Sequence, residues 1–212
     1  SHRYIALTIG EELKRDDLKV ISCHLGNGGS ITAIKDGKCV DTSMGFTPLA
    51  GIMMGTRSGD IDPSIIPFVM EKEGKNASEI IEDLNKKSGF LGVSGLSSDS
   101  RDVENGIAEG NERCRLAQDK FIRTVVDHIA KYYVLLGGCD VLAFTAGIGE
   151  NSIATRLQIV EQLACLGIKL DVEANNVRGE FTRISSSDSN TLVYLVPTNE
   201  ELMIAMDTVS LI

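Results

Sequence analysis

Apolar positions along this chain fall into two rhythms, and the switches between them outline an α/β protein. From residue 4 to 14 they recur at helical spacing. Three short runs, 20–24, 29–35 and 38–43, then read as consecutive strands of an antiparallel meander, with Lys35-Asp36-Gly37 as the turn before the third. Asp62-Pro63 predicts the start of a helix reaching about Lys72, with proline in its first turn. Ser78 predicts the cap of another, to about Lys87. Residues 89–100 are rich in glycine and serine and read as a loop. A long helix covers Glu112 to Leu136, with Leu116, Phe121, Val125, Ile129 and Tyr132 along one side. Val141 to Thr145 is continuously apolar, as a strand buried on both faces should be. Ser152 opens a helix to Cys165, Leu192 to Val196 is another buried strand, and Asn199 or Thr198 caps a last helix ending near Leu211. With no internal repeat and no low-complexity linker, the pattern predicts one compact α/β domain.

Several junctions between these elements carry residues suited to chemistry. His24-Leu25-Gly26-Asn27-Gly28 joins the first two strands. A glycine-rich turn there exposes backbone N–H groups, with side chains too small to block a close ligand, which suits phosphate oxygens. The same residues would also build an ordinary tight hairpin. Ala146-Gly147-Ile148-Gly149-Glu150-Asn151 follows the buried strand 141–145 and precedes a helix, the position where open α/β sheets bind ligands, although a simple strand-to-helix turn would read the same. It is not a dinucleotide fingerprint, because Ser152 replaces the third glycine of GxGxxG and Asp171 is only a loose candidate for the ribose acid. Neither Gly37-Lys38 nor Gly74-Lys75 has Walker A spacing, so any ATP is held without a P-loop.

Arg57 stands alone in a loop of small residues, Gly55 to Pro63, and its planar donor fork suits a phosphoryl group or a carboxylate. Pairing with Asp60 or Asp62 is the structural alternative. Asp99, Ser100 and Arg101 either clamp a ribose or base, or form the capped start of a surface turn. Glu200, at a strand-to-helix junction, is stabilised there by the helix dipole or serves as a ligand for Mg²⁺, which takes hard oxygen donors.

Composition narrows the classes. The 212 residues are 42% hydrophobic and 24% charged, which supplies a sizeable core. No apolar run reaches bilayer length, so no membrane partner is expected. Ser1-His2-Arg3-Tyr4 has no apolar signal core, and the helical pattern is already under way at Tyr4, which suggests a piece of a longer protein. A net charge of −9 lacks the basic surface that nucleic acid would need. Cys23, Cys39, Cys114, Cys139 and Cys165 form no CxxC pair and fit reduced thiols in a cytoplasmic protein. His2, His24 and His128 are too dispersed for a metal cluster, and His128 reads as a helix-face residue.

Taken together, the segments resemble one family. His24 to Gly28, then Asp41-Thr42-Ser43-Met44-Gly45-Phe46-Thr47-Pro48-Leu49, then Gly55-Thr56-Arg57-Ser58-Gly59-Asp60-Ile61-Asp62-Pro63 look like acetate kinases. So do Phe144-Thr145-Ala146-Gly147-Ile148-Gly149-Glu150-Asn151 and Pro197-Thr198-Asn199-Glu200-Glu201-Leu202. The resemblance covers essentially the whole chain, in order. It implies the ribonuclease H-like, actin-like ATPase superfold shared by acetate and sugar kinases, Hsp70 and actin, with residues 1–212 as its C-terminal nucleotide-binding domain.

It also implies roles. His24, Leu25, Gly26, Asn27 and Gly28 would cradle the ATP phosphates, while Asp99, Ser100 and Arg101 contact the nucleoside. Gly147, Ile148, Gly149, Glu150 and Asn151 would close on adenine and ribose. Arg57 would stabilise the phosphoryl group in flight, Glu200 help hold Mg²⁺, and Pro48 line the pocket for the acetate methyl. The implied reaction converts acetate and ATP to acetyl phosphate and ADP, reversibly, in a cytoplasmic homodimer. Family members are about twice this length. The family's His-Gly-Thr-Ser-His segment survives here only as Ser1 and His2, and its N-terminal domain, with a catalytic aspartate, a second arginine and an asparagine, lies outside this chain. The chain alone is therefore expected to bind nucleotide without turnover. A propionate or butyrate kinase, and a module that only binds nucleotide, are the other readings; a nicotinamide dehydrogenase is disfavoured by the broken GxGxxG.

Overall fold

The computed structural model describes residues 1–209 and 211. In chain order the elements are α1 (His2–Leu13), β1 (Lys19–Leu25), β2 (Gly29–Lys35), β3 (Lys38–Thr42), α2 (Ile65–Glu73), α3 (Ala77–Lys86), α4 (Gly89–Ser94), α5 (Ser100–Ala108) and α6 (Glu112–Leu136). They continue with β4 (Val141–Thr145), α7 (Ala146–Asn151), α8 (Ile153–Gln162), a 3₁₀ turn at Ala164–Leu166, α9 (Val172–Asn175), β5 (Thr182–Arg183), β6 (Leu192–Leu195) and α10 (Glu200–Val209). The expected extension of α10 to Leu211 runs through Ser210, outside the described residues. Where the apolar pattern predicts one compact domain, the chain forms two compact units. The first comprises residues 1–25, 31–42 and 129–212, and the second residues 26–30 and 43–128. The long segment between β3 and α6 carries enough apolar residues to build a core of its own.

The sheet has strand order β3-β2-β1-β4-β6-β5. β1, β4 and β6 are parallel, with Ile21 opposite Leu142 and Leu142 opposite Val193. β3 and β5 pair antiparallel on the two flanks. β4 is buried along its whole length, as a central parallel strand covered on both faces must be. β3 is an exposed edge, and its Asp41 meets Lys131 at 3.0 Å, the kind of charge that discourages edge pairing. Against the sheet, α1 buries Ile5 and Ile9 among Leu18, Val20, Ile34, Val141, Ala143, Tyr194 and Val196. β5 and α9 escape the sequence pattern because two and four residues are too short to show a period.

In the second unit the helices form near where the pattern places them, but other residues start them. Ser64 precedes α2, and the Asp62 carboxylate accepts the Ser64 N–H at 2.9 Å, so Asp62-Pro63 builds the approaching turn. α3 is capped by Asn76 rather than Ser78. Asn76 Oδ1 accepts the Glu79 N–H at 3.1 Å and the Glu79 carboxylate accepts the Asn76 N–H at 2.8 Å, a reciprocal box. The expected loop 89–100 contains α4. Gly89, at φ +61, is there because a Cβ would sit 2.0 Å from the Met54 carbonyl oxygen, so glycine marks close backbone approach rather than looseness. Phe90 packs on Phe121 with ring centroids 4.9 Å apart.

α6 spans the predicted residues and buries Phe121, Val125, Ile129 and Tyr132. Leu116 instead is 60% exposed. Five positions along a helix turn it about 140° off the face that Phe121 shares with the others. Elsewhere the predicted caps are those observed: Ser152 Oγ accepts the Thr155 N–H at 3.2 Å to start α8, and Asn199 Oδ1 accepts the Leu202 N–H at 3.0 Å to start α10.

Candidate functional site

In the first unit, β1, β4 and β6 end at one edge of the sheet, and three of the predicted segments leave it there. His24 and Thr145 are register partners at that edge. β4 runs directly into α7, and β6 into the junction that starts α10.

The turn into α7 is held by its own side chains. Ala146 adopts φ 65, the left-handed region that alanine rarely enters. Its N–H donates to Glu150 Oε1 at 2.8 Å. The same oxygen accepts the Thr198 N–H at 3.0 Å and the Thr198 hydroxyl at 3.4 Å. Asn151 Nδ2 donates to the Gly147 carbonyl at 2.9 Å. Gly147 and Asn151 face outward, whereas Ile148 and Gly149 are buried beneath them.

Under this turn lies Arg156, fully buried on α8. All five of its N–H donors are engaged. Nε reaches Asn175 Oδ1 at 2.8 Å, Nη1 the carbonyls of Gly149 and Glu150 at 2.9 and 3.0 Å, and Nη2 those of Asn175 and Val177 at 2.8 Å each. Burial pushes the guanidinium down to about 10, which still leaves it charged at neutral pH. No composition or spacing signal singles Arg156 out; it is one arginine in a helix that reads as ordinary. Asp171, the loose ribose candidate, is instead the cap of α9, accepting the N–H groups of Glu173 and Ala174 at 3.0 Å each.

Around the strand ends the polar groups are less complete. His24 Nδ1 and Thr145 Oγ1 are buried with no hydrogen-bond partner among the described residues. Each such atom costs about 1–3 kcal/mol, so this edge is not shaped by packing alone. His2 Nδ1 lies 2.8 Å from Ser22 Oγ, and burial followed by the nearby His24 pushes its imidazole down to about 4. Burial also lowers His24, while the Glu200 and Glu150 carboxylates pull it back up. Glu200 is exposed at the start of α10 and held below the usual carboxylate range, chiefly by the Ser1 hydroxyl that donates to it. Among the described residues no group of three or more His, Cys, Asp or Glu could hold a metal. A lone carboxylate nonetheless fits Mg²⁺, which usually takes one or two protein carboxylates and completes its shell with phosphate oxygens and water.

In the second unit the predicted residues form another group. The Gly55 N–H donates to the Asn27 carbonyl at 3.0 Å, and a Cβ on Gly55 would lie 1.8 Å from Asn27 Oδ1 and 3.0 Å from the Ser98 carbonyl oxygen. A side chain at 55 would push the Asn27 amide aside and crowd the Ser98 carbonyl, so glycine lets the 26–28 turn and the approach to 99–101 close on one loop. Arg57 Nη1 sits 3.4 Å from the Pro48 carbonyl oxygen, and a Cβ on Gly28 would be 3.4 Å from that same nitrogen. The pairing of Arg57 with Asp60 or Asp62 does not occur: Asp60 accepts the Gly51 N–H at 2.8 Å, and Asp62 accepts that of Ser64. Asp99 caps α5, whose first residue is Ser100, and binds the Arg101 guanidinium through Nε at 3.0 Å and Nη2 at 2.5 Å. Arg101 draws the Asp99 carboxyl down to about 2. Asp99 thus forms the capped turn that the sequence left open.

The structure thus gathers His24, Gly147 to Asn151 and Glu200 in the first unit, and Asn27, Gly28, Pro48 and Arg57 in the second.

The family model described as "Acetokinase family" matches residues 1–206. An acetate kinase of Moorella thermoacetica is 55% identical, the match covering 100% of this chain and 54% of that protein. The crystal structure of Porphyromonas gingivalis acetate kinase superposes with a TM-score of 0.96 at 46% identity, covering 99% of this chain and 53% of the other. A propionate kinase from Francisella tularensis gives 0.91 at 43% identity, covering 97% and 52%. The chain spans about half the length of the curated relatives it matches.

Replacing Arg156 with Met should destabilise this chain by about 3 kcal/mol or more, since several buried acceptors lose their donor together. Arg156→Lys, with three donors in place of five, should recover only part. Urea denaturation measures both; a loss under about 1 kcal/mol for Arg156→Met would mean that the turn is held by something else.

Proposed function

The chain belongs to the acetokinase family, and on that premise we propose that it supplies the nucleotide-binding half of an ATP:acetate phosphotransferase, which makes acetyl phosphate and ADP reversibly. Its fold is that of the acetate kinases, within the actin-like ATPase superfold. The observation that carries the reading is Arg57. It lies beside the Gly28 backbone and the Pro48 carbonyl, and among the described residues no carboxylate pairs with its guanidinium.

The chemistry asks for little more. A carboxylate is already an adequate nucleophile, so no general base is required, and the obstacle is bringing an anion up to a polyanion. Arg57 neutralises charge on the moving phosphoryl group, with the backbone N–H groups of His24 to Gly28 holding the phosphates. Asp99 to Arg101 meet the nucleoside, Gly147 to Asn151 the adenine and ribose, and Pro48 the acetate methyl. Mg²⁺, held by Glu200, supplies further charge neutralisation when bound. Cytoplasmic location agrees with the scattered thiols, and no helix among the described residues is long and apolar enough to cross a membrane.

A propionate or butyrate kinase is the second reading, favoured by the match to the propionate kinase structure. A homodimer is the proposed assembly, and α2 supports it: the helix carries Ile65, Ile66, Pro67, Phe68, Val69 and Met70, yet none of its residues is buried.

Three outcomes are expected. In the intact enzyme, Arg57→Ala should lower kcat by about 10²–10³ with a smaller change in KM for ATP, and Arg57→Lys should rescue incompletely. Steady-state kinetics giving raised KM at unchanged kcat would reassign Arg57 to ground-state binding. The present chain alone should bind ADP weakly by calorimetry and yield no acetyl phosphate in a hydroxamate assay, with turnover by the pure chain overturning the two-domain account. The intact protein, run with acetate, propionate and butyrate in parallel, settles the acyl preference. It should sediment as a dimer, and Phe68→Glu should shift it toward monomer; an unchanged dimer would exclude α2 from the interface.

A further inference from the structure

Glu150 lies within the turn assigned above to adenine and ribose, yet one of its carboxylate oxygens is occupied by the protein itself. Oε1 takes the Ala146 N–H on its own turn, and the N–H and hydroxyl of Thr198 on the junction after β6. These two loops leave neighbouring parallel strands, where Phe144 is the register partner of Leu195. They are 48 positions apart in sequence, so the carboxylate is a bridge and not a local cap.

What the bridge fixes is specific at both ends. On one side it pairs the amide of Ala146, whose backbone is held at φ 65 and would otherwise be free to relax. On the other it pins Thr198, one residue before the Asn199 cap and two before Glu200. Glu150 is itself immobilised from below, because Arg156 Nη1 binds its carbonyl at 3.0 Å and that of Gly149 at 2.9 Å. A negative oxygen accepting backbone N–H groups makes stronger, shorter bonds than a neutral acceptor would.

We propose that Glu150 is a positioning residue that couples the nucleotide turn to the start of the helix bearing Glu200, so that adenine nucleotide and Mg²⁺ strengthen each other's binding. The proposal rests on the assignment above of Gly147 to Asn151 to nucleotide and of Glu200 to the metal. Coupling of this kind is reciprocal: whatever factor Mg²⁺ adds to nucleotide affinity, nucleotide adds to Mg²⁺ affinity. It differs from direct contact of Glu150 with adenosine, which would contribute equally with and without metal.

Calorimetry on the intact protein separates the two. ADP is titrated with Mg²⁺ and, separately, with EDTA, into the wild type, Glu150→Gln, Glu150→Ala, Glu200→Gln and the Glu150→Ala/Glu200→Gln pair. The Mg²⁺ enhancement of ADP affinity, taken as the ratio of the affinities with Mg²⁺ and with EDTA for each variant, should shrink about tenfold in Glu150→Ala, over and above whatever the metal-free affinity loses. Glu150→Gln, which keeps an acceptor oxygen but not its charge, should fall between. With Glu200 already changed, Glu150→Ala should remove nothing further. Should Glu150→Ala melt below the assay temperature, Glu150→Gln carries the comparison. Equal losses with and without metal, or an enhancement that survives both substitutions, would overturn the proposal. Absence of ADP binding by the wild type in either condition is a different result, since it removes the nucleotide assignment itself and the proposal with it.

Discussion

A helix leaves its last four carbonyl groups without partners, so a helix of four or six residues is nearly all end. The first unit contains two such helices, α7 and α9, and both end on the buried side chain of Arg156. Arg156 resolves this with one planar group. Its five donors meet carbonyls at the closing turn of α7 and the end of α9, together with one amide side chain. The carbonyls of Gly149, Glu150 and Asn175 carry the negative ends of short dipoles, which helps a buried guanidinium stay charged where no carboxylate among the described residues bonds it. Everything above α7, including the left-handed Ala146 and the bridge to Thr198, is built on that base.

The second unit solves a different problem with less material. Its loops must approach one another more closely than side chains allow, and Gly55 and Gly89 permit this by having none. The result holds a guanidinium beside a bare backbone turn without neutralising it. The two units therefore use opposite devices, an arginine whose every donor is satisfied and an arginine that, among the described residues, meets a carbonyl at 3.4 Å and a methionine sulfur. The first builds structure; the second is the one proposed for phosphoryl transfer.

Much of the fold was readable because it rests on period and length. β4 is four apolar residues in a row closed by a threonine and α6 is a long amphipathic helix, and both form where their patterns place them. Caps were readable where one residue stood alone, as Ser152 did; Thr198 competed for the last helix but is tied to Glu150, which leaves the cap to Asn199, and Asn76 displaced Ser78 by pairing reciprocally with Glu79. Gly89 misled because glycine signals both flexibility and close approach, and only the Met54 carbonyl distinguishes them. Candidate ligand-facing residues stood out through small side chains and lone charges in turns. Arg156 and the inward bonds of Glu150 did not, since their partners lie far off in sequence or are backbone atoms, which every residue has.

The order in which the sheet is threaded bears on how the protein is made. The Lys19 N–H donates to the Asp140 carboxylate at 2.8 Å across 121 positions of sequence, at the point where β1 meets β4. A ribosome releases β1, β2 and β3 long before the strand that completes their sheet, and in the meantime emits nearly all of the second unit. Until Val141 emerges, the apolar side chains of β1 have no neighbour on that flank, and closure over so large a loop is intrinsically slow. Nascent chains of this topology thus carry an open, apolar sheet edge for as long as residues 43–140 take to be made, an interval in which exposed strand edges invite misassembly.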